Sequence, residues 1–214
     1  MFKNAISDFD PWVFNAYRLI LATITLVALA VFEALVLTPK ADTDKTPTSW
    51  LRVLLFCILS GFLYLIIFVK GIDLTTAGNT ALILASMPMW TAVLSYFALA
   101  ERLPRVTWLG LLVTFVGTAI VTTQGSGGGG EVSFESKYFI GNLYMLLASL
   151  AWAAGTVVSR PILQTITPLR LAAISAVVTT PLHILLVADK LADAWPAAMQ
   201  PNNLGAIIYS GVFS

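Results

Sequence analysis

Charge is scarce in this chain. Lysine and arginine number 12 and aspartate and glutamate 11, together 11% of 214 residues, against about a quarter in soluble globular domains. Hydrophobic residues make up 58%, more apolar surface than one soluble core could bury. A formal net charge of +1 supplies no basic field for nucleic acid. The only cysteine, Cys57, sits within the apolar run LLFCILSG. It excludes an internal disulfide and a cysteine-based metal site, and it fits a packed thiol. With His183 as the only histidine, HExxH cannot be written, and GxSxG, GxxxxGKS/T and a pair of intramembrane aspartates are equally missing. Neither metal nor cofactor is expected. Met1–Asp10 has no basic patch, short apolar stretch and small-residue cleavage site of the secretory kind.

What the chain does have is long apolar runs. Ala77–Val121 holds two, AGNTALILASMPMWTAVLSYFALA and VTWLGLLVTFVGTAIV, joined by the charged hinge ERLPR. Runs of about 20 residues match a hydrocarbon layer of roughly 30 Å at 1.5 Å per helical residue. Pro104 sits where the second helix of this hairpin would begin, a position that needs no N–H. The same pattern predicts spans at about 12–37, 50–69, 77–100, 105–123, 138–163 and 169–188, with a partial seventh at 204–214. Thr38–Ser49, Lys70–Asp73 and Asp189–Asn203 read as a loop, a short turn and a second loop. Residues 125–137, with GSGGGG and two glutamates, have the composition of a flexible linker. Trp12 and Tyr17 suit an aromatic belt.

The two sides of the linker are related. Sliding the chain by 157 positions puts Lys3 on Arg160, Ile6 on Leu163 and Pro11 on Pro168, and Ser60–Gly61 resembles Ser210–Gly211. In the second copy a complete span, Tyr138–Ser159, precedes the matched segment; in the first it is missing. The chain is therefore expected to be a piece of a longer repeat protein. Alternating loops put Lys40, Lys45, Arg52, Arg102, Arg105, Arg160 and Arg170 on one side, and Lys3, Lys70, Lys137 and Lys190 on the other. The richer side is expected in the cytoplasm. The copies then run in opposite senses, an arrangement recurrent in transporters.

KNAISDFDPWVFNAYRLILA, followed by GNTALILASMPMWTAVLSYFALAERLPRVTWLGLLVTFVGTAIV, resembles the EamA domain of the drug/metabolite transporter superfamily, and GNLYMLLASLAWAAGTVVSRPILQTITPLRLAAISAV is similar to the start of another. The most specific matches are Pro88, Glu101 and Trp108-Leu109-Gly110. The resemblance implies an all-α integral membrane protein, a multispan helical bundle of two inverted EamA-type repeats. Residues 1–124 would form the first repeat, lacking its first helix, and 138–214 the second, incomplete. It also implies a ten-span parent with cytoplasmic termini that moves small metabolites.

Pro88 removes the hydrogen bond to the Leu84 carbonyl and bends its helix, either for packing or to open a cavity. Asn79, Ile83, Ser86 and Trp90 share one face with Met87 alongside, and are expected to form a polar and aromatic cavity wall rather than only an interhelical contact. Arg18 either snorkels to the interface or presents positive charge to the cavity. Trp152, with Asn142 and Tyr144, could face the cavity from the other repeat. Substrate contact is assigned to Arg18, Asn79, Met87, Trp90 and Trp152, and hinge or boundary roles to Pro88, Glu101, Pro104 and Pro181. Glu33 is read as snorkelling and His183 as hydrogen-bonded packing. Ala151, Gly155 and Ser159 read as a small-residue packing ridge, as do Gly110, Thr114 and Thr118.

The expected protein is a multi-pass permease of the cytoplasmic (inner) membrane, moving small organic solutes by alternating access. Its partners would be a small-molecule substrate and the lipid bilayer; pairing with a second copy of the chain is compatible with this. A membrane-embedded enzyme of lipid or isoprenoid metabolism would need acids or histidines clustered at membrane depth. A non-transporting helical subunit is the other alternative.

Overall fold

The computed structural model describes residues 10–36, 48–100, 104, 106–113, 116 and 138–213. Among them every regular element is helical: α1 Pro11–Val36, α2 Trp50–Leu74, α3 Ala77–Leu84, α4 Met87–Ala98, α5 at 106–113, α6 Phe139–Ile162, α7 Pro168–Leu185, α8 Ala188–Ala198 and α9 Pro201–Phe213. Five stretches are long and apolar enough to cross a bilayer: α1, α2, α3 with α4, α6 and α7. The protein is an all-α membrane protein. The linker, Glu101, Arg102 and Arg105, and most of the expected 105–123 span lie outside the described residues.

Two compact units divide the chain, Met1–Cys57 with Pro161–Ser214, and Ile58–Arg160. In the first, α1 and α7 open with the same local grammar. Asp10 caps α1, its carboxylate accepting the Trp12 N–H at 2.9 Å, with Pro11 next in line. Thr167 caps α7, its hydroxyl accepting the Arg170 N–H at 3.3 Å, with Pro168 next. An oxygen-bearing cap followed by proline pairs a donor that would otherwise be orphaned with a residue needing none.

These two helices make the most extensive contact in the unit and run antiparallel. Near the middle Thr23 Oγ1 lies 2.7 Å from Thr180 Oγ1. At one end Lys190 donates to Asp10 at 3.0 Å. At the other, Thr167 donates to Glu33 at 2.9 Å and Arg170 lies 3.8 Å from the same carboxylate. The shift of 157 that carries Pro11 onto Pro168 also carries Asp10 onto Thr167, Thr23 onto Thr180 and Glu33 onto Lys190. Under that shift one clamp is the exchange image of the other.

Residues Asp189–Asn203, expected as a loop, contain α8. Its Leu191, Ala194, Ala197 and Ala198 pack on the core of Val13, Ala16, Val187 and Ile207, leaving Asp189, Lys190 and Asp193 on the other face. The apolar spacing is helical, but the many polar residues read as a loop. Tyr17 ties the element down, its hydroxyl donating to the Leu191 carbonyl at 2.6 Å while its ring meets Trp195 at 6.1 Å. Helix α9 follows and packs on α1 at Gly211, where an added Cβ would sit 3.1 Å from the Arg18 carbonyl oxygen.

In the second unit α2 and α6 run antiparallel at close quarters. A Cβ on Gly71 would meet Met145, on Gly141 the Leu74 carbonyl, and on Gly155 the Ser60 hydroxyl, only 1.8 Å away. Small residues at such crossings let backbones approach where no water competes. Lys70–Asp73, expected as a turn, is helical to Leu74. Gly71 serves the packing there rather than a reversal. Cys57–Leu63 forms a π-helical segment within α2, beside the Ser60–Gly155 approach.

Candidate solute cavity

Site geometry starts from a broken helix. The expected 77–100 span is interrupted by a turn at Ala85–Ser86, a sharper discontinuity than a bend. Pro88 falls in the first turn of α4, so the missing N–H and the ring clash act one turn earlier, where α3 stops. The Ile83 carbonyl at the break accepts from the Ser86 N–H at 3.1 Å and the Ser86 hydroxyl at 2.5 Å; the Ser149 hydroxyl of α6, which donates to the Met145 carbonyl at 2.9 Å, lies 3.3 Å away. Backbone groups freed at membrane depth are stable only when re-satisfied in this way.

On the far side of the break a cavity of about 310 Å³ opens between α4 and α6. Met87, Pro88, Thr91, Ala92 and Ser95 line it from α4, and Trp152, Thr156 and Arg160 from α6. The Thr91 hydroxyl donates to the Met87 carbonyl at 3.0 Å and that of Thr156 to the Trp152 carbonyl at 2.9 Å. Ser95 is different: its residue is 0% exposed and its hydroxyl has no partner. Trp152 packs its ring on Tyr64, centroids 4.9 Å apart.

Of the residues expected at a site, the structure brings Met87, Trp152 and the hinge Pro88 to this one cavity. Asn79 is buried elsewhere in the same unit, its amide donating to Asn142 at 3.1 Å and to Thr75 at 3.3 Å, while Thr75 donates to Asn142. Trp90 does not line the cavity; its indole N–H donates to the Ser86 hydroxyl at 3.1 Å. Arg18 belongs to the first unit, where its guanidinium donates to Asn15 at 2.9 Å. Pro181 lies within α7 and His183 is buried on the same helix. The Pro104 carbonyl accepts from the Thr107 N–H ahead of α5, and Glu101 is outside the described residues.

Ser95, Thr91, Thr156 and Arg160 are cavity residues that sequence reasoning passed over. A signal existed: 87, 91 and 95, and 152, 156 and 160, each recur every fourth position and so share a helix face.

Residues 1–123 match the EamA-like transporter family. The chain belongs to that family. It is 27% identical to an uncharacterized transporter, sll0355, of Synechocystis over 72% of this chain and 48% of the relative. Identity to YoaV, an uncharacterized transporter of Bacillus subtilis, is 23% over 74% of the chain and 50% of the relative. The WAT1-related protein At3g02690, chloroplastic, of Arabidopsis thaliana is 29% identical over 74% of the chain and 36% of its own length. The EamA-like chain therefore spans half or less of these curated relatives. A solved crystal structure shares the fold, with a TM-score of 0.72 at 20% identity, covering 97% of this chain and 68% of that one. Family and relatives alike point to a membrane transporter rather than an enzyme.

Proposed function

We propose that this EamA-like chain forms part of a permease that moves small organic solutes across the cytoplasmic membrane by alternating access. In this reading residues 1–124 and 138–214 belong to two inverted repeats, and the cavity between α4 and α6 is a solute pocket. The observation that carries it is the cavity itself, built beside a broken helix in a chain of a transporter family. Its volume is at the small end of ligand pockets, and its lining is mostly apolar with few polar groups, the usual composition of such sites. Discontinuous helices are a common way to place a solute near the bilayer midplane. The antiparallel packing of α1 on α7 about Thr23 and Thr180 supports the inverted duplication. Met87 and Trp152 contact solute within the pocket. Asn79, through Asn142, fixes α3 against α6; Trp90, through Ser86, holds the break; and Arg18, bonded to Asn15, belongs to the first unit. Lysine and arginine placement puts Arg160 toward the cytoplasm.

Counterflow into proteoliposomes tests the reading, with a panel of radiolabelled amino acids, small organic acids and amines. At least one solute should exchange above protein-free vesicles, with that flux lost in Ala92→Trp, which fills the cavity. If no solute of the panel exchanges, or if Ala92→Trp leaves the flux unchanged, the pocket is not a transport site.

A further inference from the structure

Helix α8 divides its surface into three stripes, each stepping four, three and four residues. Val187, Leu191, Ala194 and Ala198 form the first and are buried or half-buried on the core of the first unit. Asp189, Asp193, Pro196 and Gln200 form another, exposed and carrying the acids. Between them run Ala188, Ala192, Trp195 and Met199, apolar and yet exposed, with Trp195 55% open. At 3.6 residues per turn neighbouring stripes stand about 100° apart. A helix on a soluble surface needs one side for the core and one for water. The uncovered apolar stripe needs a third partner.

The place of α8 in the chain identifies that partner. Helix α7 is 18 residues long, close to the thickness of the hydrocarbon layer, and α8 opens just beyond its end. Leu182, Leu185 and Leu186 carry exposed apolar surface up to the end of that span. Two contacts bracket the level of α8. Lys190 meets Asp10 at the exposed cap of α1, the depth of water. Tyr17 stands seven residues further along α1, about 10 Å. It joins α8 through the Leu191 carbonyl and the Trp195 ring. An ion pair first and a Tyr–Trp pair next is the order met on passing from water into the bilayer interface.

We propose that α8 is an interfacial helix. The stripe of Ala188, Ala192, Trp195 and Met199 is seated between the headgroups and acyl chains of the bilayer, with Asp189 and Asp193 in water. The occupant of the stripe is lipid, and the seat sets the depth of this end of α1 and α7 in the leaflet. An apolar side bearing an aromatic residue and a charged side elsewhere on the helix are the marks of such elements. Lys190, the one lysine of α8, is paired with Asp10, so no cationic patch on α8 recruits anionic headgroups. Apolar area drives the seat, which therefore holds in zwitterionic lipid.

Spin labels test the seat on the full chain in phosphatidylcholine nanodiscs. The unsubstituted chain, whose Cys57 is buried, gives the background. Ala192→Cys and Met199→Cys report on the apolar stripe, Asp189→Cys and Asp193→Cys on the acidic one. All four positions are exposed, so the labels displace no core contact. Oxygen concentrates among acyl chains and a nickel chelate in water, so collisions with the two reagents measure depth. The ratio of oxygen to nickel collisions should be several-fold higher at 192 and 199 than at 189 and 193. Trp195→Ala should lower the ratio at 192 and 199, and Trp195→Phe should keep most of it. Equal ratios at the four positions would overturn the proposal by placing the whole helix in water. Labels at 192 and 199 shielded from both reagents would overturn it too, because protein, such as a second copy of the chain, would then cover the stripe.

Discussion

Thr23 and Thr180 stand 157 positions apart in sequence and 2.7 Å apart in space, and 157 is also the offset between Pro11 and Pro168. The Thr23 proton goes to the Leu19 carbonyl at 2.7 Å, and a hydroxyl has only one. Thr180 is therefore the donor between them. The contact sits near the middle of the antiparallel α1–α7 pair. The Asp10–Lys190 and Thr167–Glu33 contacts fall on either side of it.

Replacing either threonine by valine keeps the shape and removes the bond. A double-mutant cycle over Thr23→Val and Thr180→Val, read by equilibrium unfolding in mixed micelles, should give a coupling of about 0.6 kcal/mol, the average for interhelical hydrogen bonds in membranes. No measurable coupling would mean that the pair is merely adjacent.

The Asp10–Lys190 clamp should make stability depend on pH in a definite window. Burial pushes the Asp10 carboxyl up, but the Trp12 N–H and the Lys190 ammonium together outweigh it and hold the carboxyl below its ordinary 3.8. Its contribution is present above that value and lost as pH falls through the lower folded one. Its hydrogen bond and charge raise Lys190 above 10.5, so that contribution is present below 10.5 and lost as pH climbs through the folded value. The Tm of wild type should exceed that of Asp10→Asn between these limits. The difference should shrink at both extremes and at high salt, because the pair is exposed enough to be screened.

Gly155 has no room for a methyl group. Gly155→Ala should cost about 1–3 kcal/mol through overpacking on Ser60, and Ser60→Gly in the same chain should recover most of it. Thermal unfolding in detergent checks both, and additive losses in the double variant would refute the contact.

The buried Ser95 hydroxyl should cost stability. Ser95→Ala removes a buried hydroxyl that has no partner, a penalty of about 1–3 kcal/mol, so the ligand-free protein should unfold at higher temperature. A lower Tm would indicate that the hydroxyl is satisfied in the folded protein.

Much of this protein could be read in advance because bilayer physics leaves few options. An apolar run near 20 residues long must close its backbone hydrogen bonds internally, so five of the membrane-length helical stretches were visible in one dimension. The all-α membrane fold follows from those runs alone. Local chemistry misled where one residue type serves two purposes. Gly71 looked like a turn and is a helix contact with Met145; α8 looked like a loop because its polar face is so evident. Met87 could be picked out beside Pro88, and Trp152 as a residue of the 138–163 span facing it. Which of the candidates share a cavity, and that Ser95 and Arg160 join Met87 and Trp152 in lining it, depends on how α4 packs against α6. Distance between separate helices is set by packing at Gly155, Ser149 and Asn142, and no periodicity within one helix encodes it.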